Sequence, residues 1–182
     1  GPFVNSTGED IFDASLRRAL GAQLEQSPFL ALAGDERVGT VLRLMKQPPD
    51  TPLTAARARE VCLRSGLKAF VTGAIDATGR GYLVTLNAVA AESGAVIATS
   101  QAEAAGRDAV LKALRAAAAD LRARLGETLA SVRQFDAPVD QVTTSSLEAL
   151  RGYALGREAM LRGRAPDAVA LLARAVEIDP DF

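Results

Sequence analysis

Residues able to do chemistry are few in this chain, and each must be weighed by its spacing. Glu9, Asp10 and Asp13 sit within five residues. Asp10 and Asp13, three apart on a helix, share a face and with Glu9 can in principle hold a cation. Acids at a helix start also serve as partners of unpaired amides, and that use fits the sequence around them. "TGRGY" carries Gly79 and Gly81, but it joins two strand-like runs, so it reads as a hairpin turn and not as a phosphate loop. Cys62 is alone in "AREVCLRSG", which excludes an intrachain disulfide and predicts a buried, inert thiol. Histidine is absent, so the commonest general base and metal ligand are missing. Lys46, Lys68 and Lys112 supply no convincing base for a Ser or Thr nucleophile. The expectation is therefore a non-enzymatic chain with no catalytic, cofactor or metal residues. The alternative left open is an enzyme whose site closes only on oligomerisation.

Composition agrees with a packed domain. The 182 residues are 48% hydrophobic and 24% charged, which suits a globular fold with room for an appendage. With no Trp and 4% aromatics, the core must be built from Leu, Val, Ile and Ala. A formal net charge of -1 offers little counterion release, so no nucleic acid contact is expected. No apolar run reaches the length of a membrane span. Gly1-Pro2 has the look of a protease-cleavage scar.

The elements that would position these residues follow from period and punctuation. Ile11, Phe12, Leu16, Leu20 and Leu24 mark a helix over 8–27, opened by Thr7 to Asp10 and closed before Pro28. Phe29 to Gly34 reads as a short buried strand. Asp35 then caps a second helix through Val38, Val41, Leu42 and Met45. Thr54 caps a third, 54–65, which ends at Gly66. From Lys68 the period changes to two, predicting three antiparallel strands across 68–104. Asp108 to about Phe135 reads as one long helix, with Val110, Leu111, Leu114, Leu121, Leu125, Leu129 and Val132 on one face. At about 25 residues it would span roughly 37 Å. "DAPVDQVTTSS" is linker-like, and Ser145 with Glu148 forms a capping box.

From Ala149 the spacing resembles a tetratricopeptide repeat. Leu155, Gly156, Gly163, Ala168, Leu172, Ala175 and Pro180 occupy its signature places, while Gly152 and Ala159 replace its usual Trp and Tyr. One repeat cannot bury its own apolar face, so the resemblance implies a truncated array that continues past "DPDF". In such arrays the first helix lines the concave face. That places Leu150, Tyr153, Arg157 and Met160 as the candidate partner-binding set, at three- and four-residue spacing. Val169, Leu172 and Val176 are expected toward the packing side, and exposed apolar surface near Leu171, Ala175 and Ile178 would permit self-association.

"FVNSTGEDIFDASLRRALGAQLEQSPFLALAGDERVGTVLRLM", "LTAARAREVCLRSGLKAFVTGAI" and "LGETLASVRQFDAPVDQVTTSSLEALRGYALGR" resemble a bacterial module related to the TolB amino-terminal domain, across residues 3–182. The resemblance implies an α/β sandwich with a mainly antiparallel sheet over 3–135, a linker over 136–144, and a first repeat over 145–182. Its first strand would run into "FVNSTG", with Gly8 allowing a tight strand-to-helix turn. Asn5, Thr7 and Asp10 would serve that turn before any ligand. It further implies an extracytoplasmic, periplasmic sensing module, carboxy-terminal to a serine/threonine kinase domain and one transmembrane helix, acting on a protein or peptide partner. The other context it implies is a winged-helix transcriptional regulator, membrane-bound or soluble in the cytoplasm.

Overall fold

The change of period at Lys68 becomes a sheet. The computed structural model describes residues 1–138 and 143–182. β2 (Ala69–Thr78), β3 (Gly81–Ala90) and β4 (Val96–Ala104) form the expected antiparallel meander. β1 (Phe3–Asn5) adds to it in parallel, pairing with Gly73 to Ile75, so the order is β1-β2-β3-β4. A glycine is required at position 73, because a Cβ there would lie 2.3 Å from the Phe3 ring.

Alternation decides which face is dry. Val84, Leu86 and Ala88 are buried, and Leu83, Thr85 and Asn87 between them are half-exposed. The buried face meets α1 (Ile11–Glu25) and α4 (Val110–Arg124) in one core that includes Phe12, Leu16, Ile75, Leu114 and Leu121. The other face carries cross-strand polar pairs. Thr99 donates to Asn87 Oδ1 at 2.7 Å, and Gln101 donates to Thr85 Oγ1 at 3.1 Å. α3 (Ala55–Ser65) covers one corner of that face through Ala58, Cys62, Phe70 and Ala91. α2 (Asp35–Leu44) packs on α3 through Val41, Leu42 and Val61. Thr54 caps α3 by accepting from the Arg57 amide at 3.2 Å, and Gly66 ends it at φ +67.

Four expectations need correction. Phe29 to Gly34 is not a strand, and Phe29 and Leu32 are exposed. Ser27 Oγ gathers the Phe29 and Leu30 amides, each at 3.2 Å, which holds the segment as a loop after α1. Asp35 is the first residue of α2, with Gly34 at the cap. The long helix is broken. It starts with a 3-10 turn (Arg107–Ala109), runs as α4, stops at Gly126 with φ +103, and restarts as α5 (Leu129–Gln134) behind a Thr128 cap. Leu129 is consequently 64% exposed. The helix after the linker, α6 (Leu147–Leu161), is capped by Ser146 and not by Ser145. Of the expected linker 136–144, Val139 to Val142 lie outside the described residues.

α6 and α7 (Ala165–Ile178) form an antiparallel helical hairpin that turns at Gly163, φ +70. Close approach explains the small residues at its seam. A Cβ at Gly156 would lie 2.8 Å from Leu172 Cγ and Cδ2, and one at Gly152 would lie 3.4 Å from Ala175 Cβ. Leu147 and Leu150 belong to the same core as α1 and α4. Among the described residues no helix is long and apolar enough to cross a membrane.

The thiol gives a first test. Cys62 is 5% exposed and points at the Ala69 carbonyl, 3.5 Å away, and burial pushes its pKa up. Labelling of native protein by a thiol reagent should be about a hundredfold or more slower than in denaturant, because access needs an opening of at least about 3 kcal/mol. Equal rates in the two states would refute the buried placement.

Candidate functional site

At the amino-terminal end of α1, polar side chains satisfy one another. Asn5 Oδ1 accepts from the Thr7 amide at 3.0 Å and the Thr7 hydroxyl at 2.7 Å. Asn5 Nδ2 donates to the Glu9 carbonyl at 2.9 Å and to Asp13 Oδ1 at 2.8 Å. Thr7 Oγ1 accepts from the Glu9 amide, and Gly8 takes φ +78 as the turn requires. Glu9 accepts from the Tyr82 hydroxyl, which raises the phenol pKa, and it pairs with Arg107 at 3.0 Å. Glu9 and Asp13 are thus committed to neighbours, and the turn ties β1 and β3 to α1. No group of three or more Asp, Glu, His or Cys among the described residues is placed to hold a metal. A shallow depression of about 690 Å³ beside the β2–β3 turn is lined by Thr78, Arg80, Tyr82 and Glu103.

The sequence missed a buried ionic cluster between α4 and α5. Arg122 donates to Glu127 through Nε at 2.9 Å and Nη2 at 2.8 Å, and both side chains are 1% exposed. Ser27 and Ser131 hydroxyls donate to the same carboxylate at 2.6 Å and 2.7 Å. Arg122 Nη1 reaches the Phe135 carbonyl at 3.2 Å. The Arg122 hydrogen bonds, aided by the two serines, lower the Glu127 pKa from 4.5 to about 2. The signal available was "LGET", a left-handed glycine followed by an acid and a helix cap. The cluster fastens the end of α1 to the α4–α5 turn and is structural in character.

The four residues expected to bind a partner are spread from core to surface. Leu150 is fully buried under α1. Tyr153 stacks edge-on with Phe182, centroids 5.1 Å apart, and the Arg18 guanidinium lies 5.2 Å over its ring. Arg157 is half-buried, and Met160 is 52% exposed. The expected packing face of α7 also needs correction. Leu172 does pack, against Gly156, but Val169 and Val176 are 68% and 51% exposed. Ala175, expected at an open end, is buried against Gly152, whereas Ile178 is exposed. The reason is angular. Ala168, Leu172 and Ala175 lie on the stripe that meets α6, and Val169 and Val176 stand about 100° round the helix from it. The result is an outward pair, Val169 and Val176, on one face of α7, with Met160 and Leu161 also exposed at the end of α6.

No family model matches the chain, and no curated protein matches it. Among solved structures the chain is similar to the LpoB C-terminal domain from Salmonella enterica, at TM-score 0.49 and 12% identity, over 57% of this chain and 80% of that one.

Proposed function

We propose that this chain is a non-catalytic sensing or protein-interaction module of a bacterial signalling protein, and that its helical hairpin is a tetratricopeptide repeat. The outward face of α7 carries this reading. Val169 and Val176, about two turns apart, stand exposed on one face of α7, and Met160 and Leu161 are exposed at the end of α6. Large apolar side chains repeated along one exposed helix face favour a protein contact. The glycines at 152 and 156 and the alanines at 168 and 175 support the repeat, since they set the close helix approach that it needs. The mutual satisfaction of Asn5, Thr7, Glu9 and Asp13 supports a non-catalytic role, because it leaves these groups structural partners. The resemblance across residues 3–182 supports a periplasmic position in a membrane-anchored serine/threonine kinase. The α/β part then caps the array, and Met160 remains available to a partner with the outward face of α7.

A photo-crosslinking residue at position 176, in the protein expressed in its own cells, tests this. One discrete protein adduct is expected, lost when Val169→Asp is added. A crosslinker at Thr99, exposed on the polar sheet face, should give none. Equal adducts at 176 and 99, or none at either, would refute the docking face.

A further inference from the structure

Buried polar atoms without partners are rare in folded proteins, and each one asks what satisfies it. Among the described residues five buried side-chain atoms have no hydrogen-bond partner, and two are guanidinium nitrogens, Arg18 Nε and Arg157 Nε. Arg18 is on α1 and Arg157 on α6, two helices that share one core through Leu150. Arg18 sits over Tyr153, and Arg157 is one turn along α6 from Tyr153 on the same face.

Among the described residues no other arginine has a buried Nε without a partner. Eight other arginines take a carboxylate: 64, 107, 115, 122, 124, 162, 164 and 174. Arg18 and Arg157 pair with none among the described residues. Acids on neighbouring segments are engaged elsewhere: Asp13 by Asn5, and Asp179 by Thr144. The one polar contact of Arg18 is a long one, Nη2 to the Tyr153 hydroxyl oxygen at 3.4 Å. That contact uses the phenol as acceptor and leaves its O–H free to donate.

The seam between α1 and α6 therefore presents mainly donors: two guanidinium groups and a phenol O–H, with the phenol oxygen already accepting from Arg18. The Phe182 ring, edge-on to Tyr153, walls one side and lowers the local dielectric. A site dominated by donors, with two fixed positive charges, favours a group that is all acceptor and negative. Guanidinium forks match oxyanions in particular, because two parallel N–H groups meet two oxygens.

We propose that Arg18, Tyr153 and Arg157 form a binding site for an oxyanion, a carboxylate or a phosphate or sulfate group, at the α1–α6 seam. The site does not depend on what docks on α7, so each proposal can fail alone. Filling it would satisfy both buried Nε–H groups and bridge α1 to the hairpin.

Arginine Nε–H resonances provide a direct reading. The intact chain is titrated at constant ionic strength with sodium sulfate, inorganic phosphate and glutarate, with chloride as the compensating salt. Saturable shifts of the Arg18 and Arg157 Nε–H signals are expected, with dissociation constants in the millimolar range or tighter. Shifts with sulfate and phosphate only would assign the site to tetrahedral anions. Shifts with glutarate as well would assign it to oxyanions in general. Arg157→Gln should weaken binding at least tenfold, and Arg174→Gln, on the exposed side of α7, should leave it unchanged. Equal weakening by both variants would mean general charge screening and would overturn the site. So would the absence of saturable Nε–H shifts in the unsubstituted protein, a result that stands even if Arg157→Gln fails to fold.

Discussion

Glu127→Ala should destabilise the fold by about 3–5 kcal/mol, the cost of leaving a fully buried arginine without its partner. Arg122 is 1% exposed and would keep its charge with only the Phe135 carbonyl to face it. The double variant Arg122→Met/Glu127→Leu should recover most of the loss, because it removes both charges together. Acid gives a second reading of the same pair. The Arg122 hydrogen bonds hold the Glu127 pKa at about 2 in the folded chain, below its ordinary 4.5. A depressed carboxylate pKa stabilises above the unfolded value, and the contribution fades as pH falls through the folded one. A shift of this size corresponds to about 3 kcal/mol, lost between pH 4.5 and pH 2. Urea midpoints at pH 7 and pH 2.5, taken for the native and double-variant proteins, measure it. An equal acid loss in both proteins would show that the cluster contributes no pH dependence.

Gly81→Ala is expected to cost about 3 kcal/mol through the backbone. Gly81 opens β3 at φ +144, a conformation that residues with a Cβ rarely adopt. A Cβ built there would lie 2.0 Å from the Ala104 carbonyl oxygen, which is backbone and cannot turn aside. Pairing of Tyr82 with Ala104 would open, and with it the T-shaped contact of Tyr82 on Phe12 at 5.3 Å. Gly79, two residues earlier in the same turn, has open space around it and no positive φ. Gly79→Ala should therefore stay within about 1 kcal/mol. Comparable thermal midpoints for the two variants would contradict the close approach at Gly81.

The contrast between what was legible in the sequence and what was not has a physical origin. The meander could be read because one of its faces is dry, and a half-buried strand writes its alternation into every second residue, as from Tyr82 to Ala90. The hairpin could be read because Gly156 and Ala168 are forced small by helix approach. "FLALAG" misled because a short apolar run does not distinguish strand from loop, and here the Ser27 hydroxyl takes the Phe29 and Leu30 amides. Leu125 and Leu129 continued the period of α4, but one glycine at φ +103 and a buried ion pair redirected the chain. In the candidate sites, Tyr153 and Arg157 were visible as a spaced pair on one helix. Arg18, which lies across the seam, was not, because nothing in a sequence relates residues 135 positions apart.

The shared core of α1, α4 and α6 has a mechanical consequence. Leu147 and Leu150 are locked among the side chains that also hold the sheet, so the hairpin is a handle fixed to the sheet through α1. A pull on α7 would load α6 along its glycine seam, then α1, then β1 and β2. Force-ramp unfolding from the hairpin end should thus break α1 away from the sheet in the same event as α6, as one rupture. A molecule of this build transmits tension applied at α7 stiffly, with α1 as the strut.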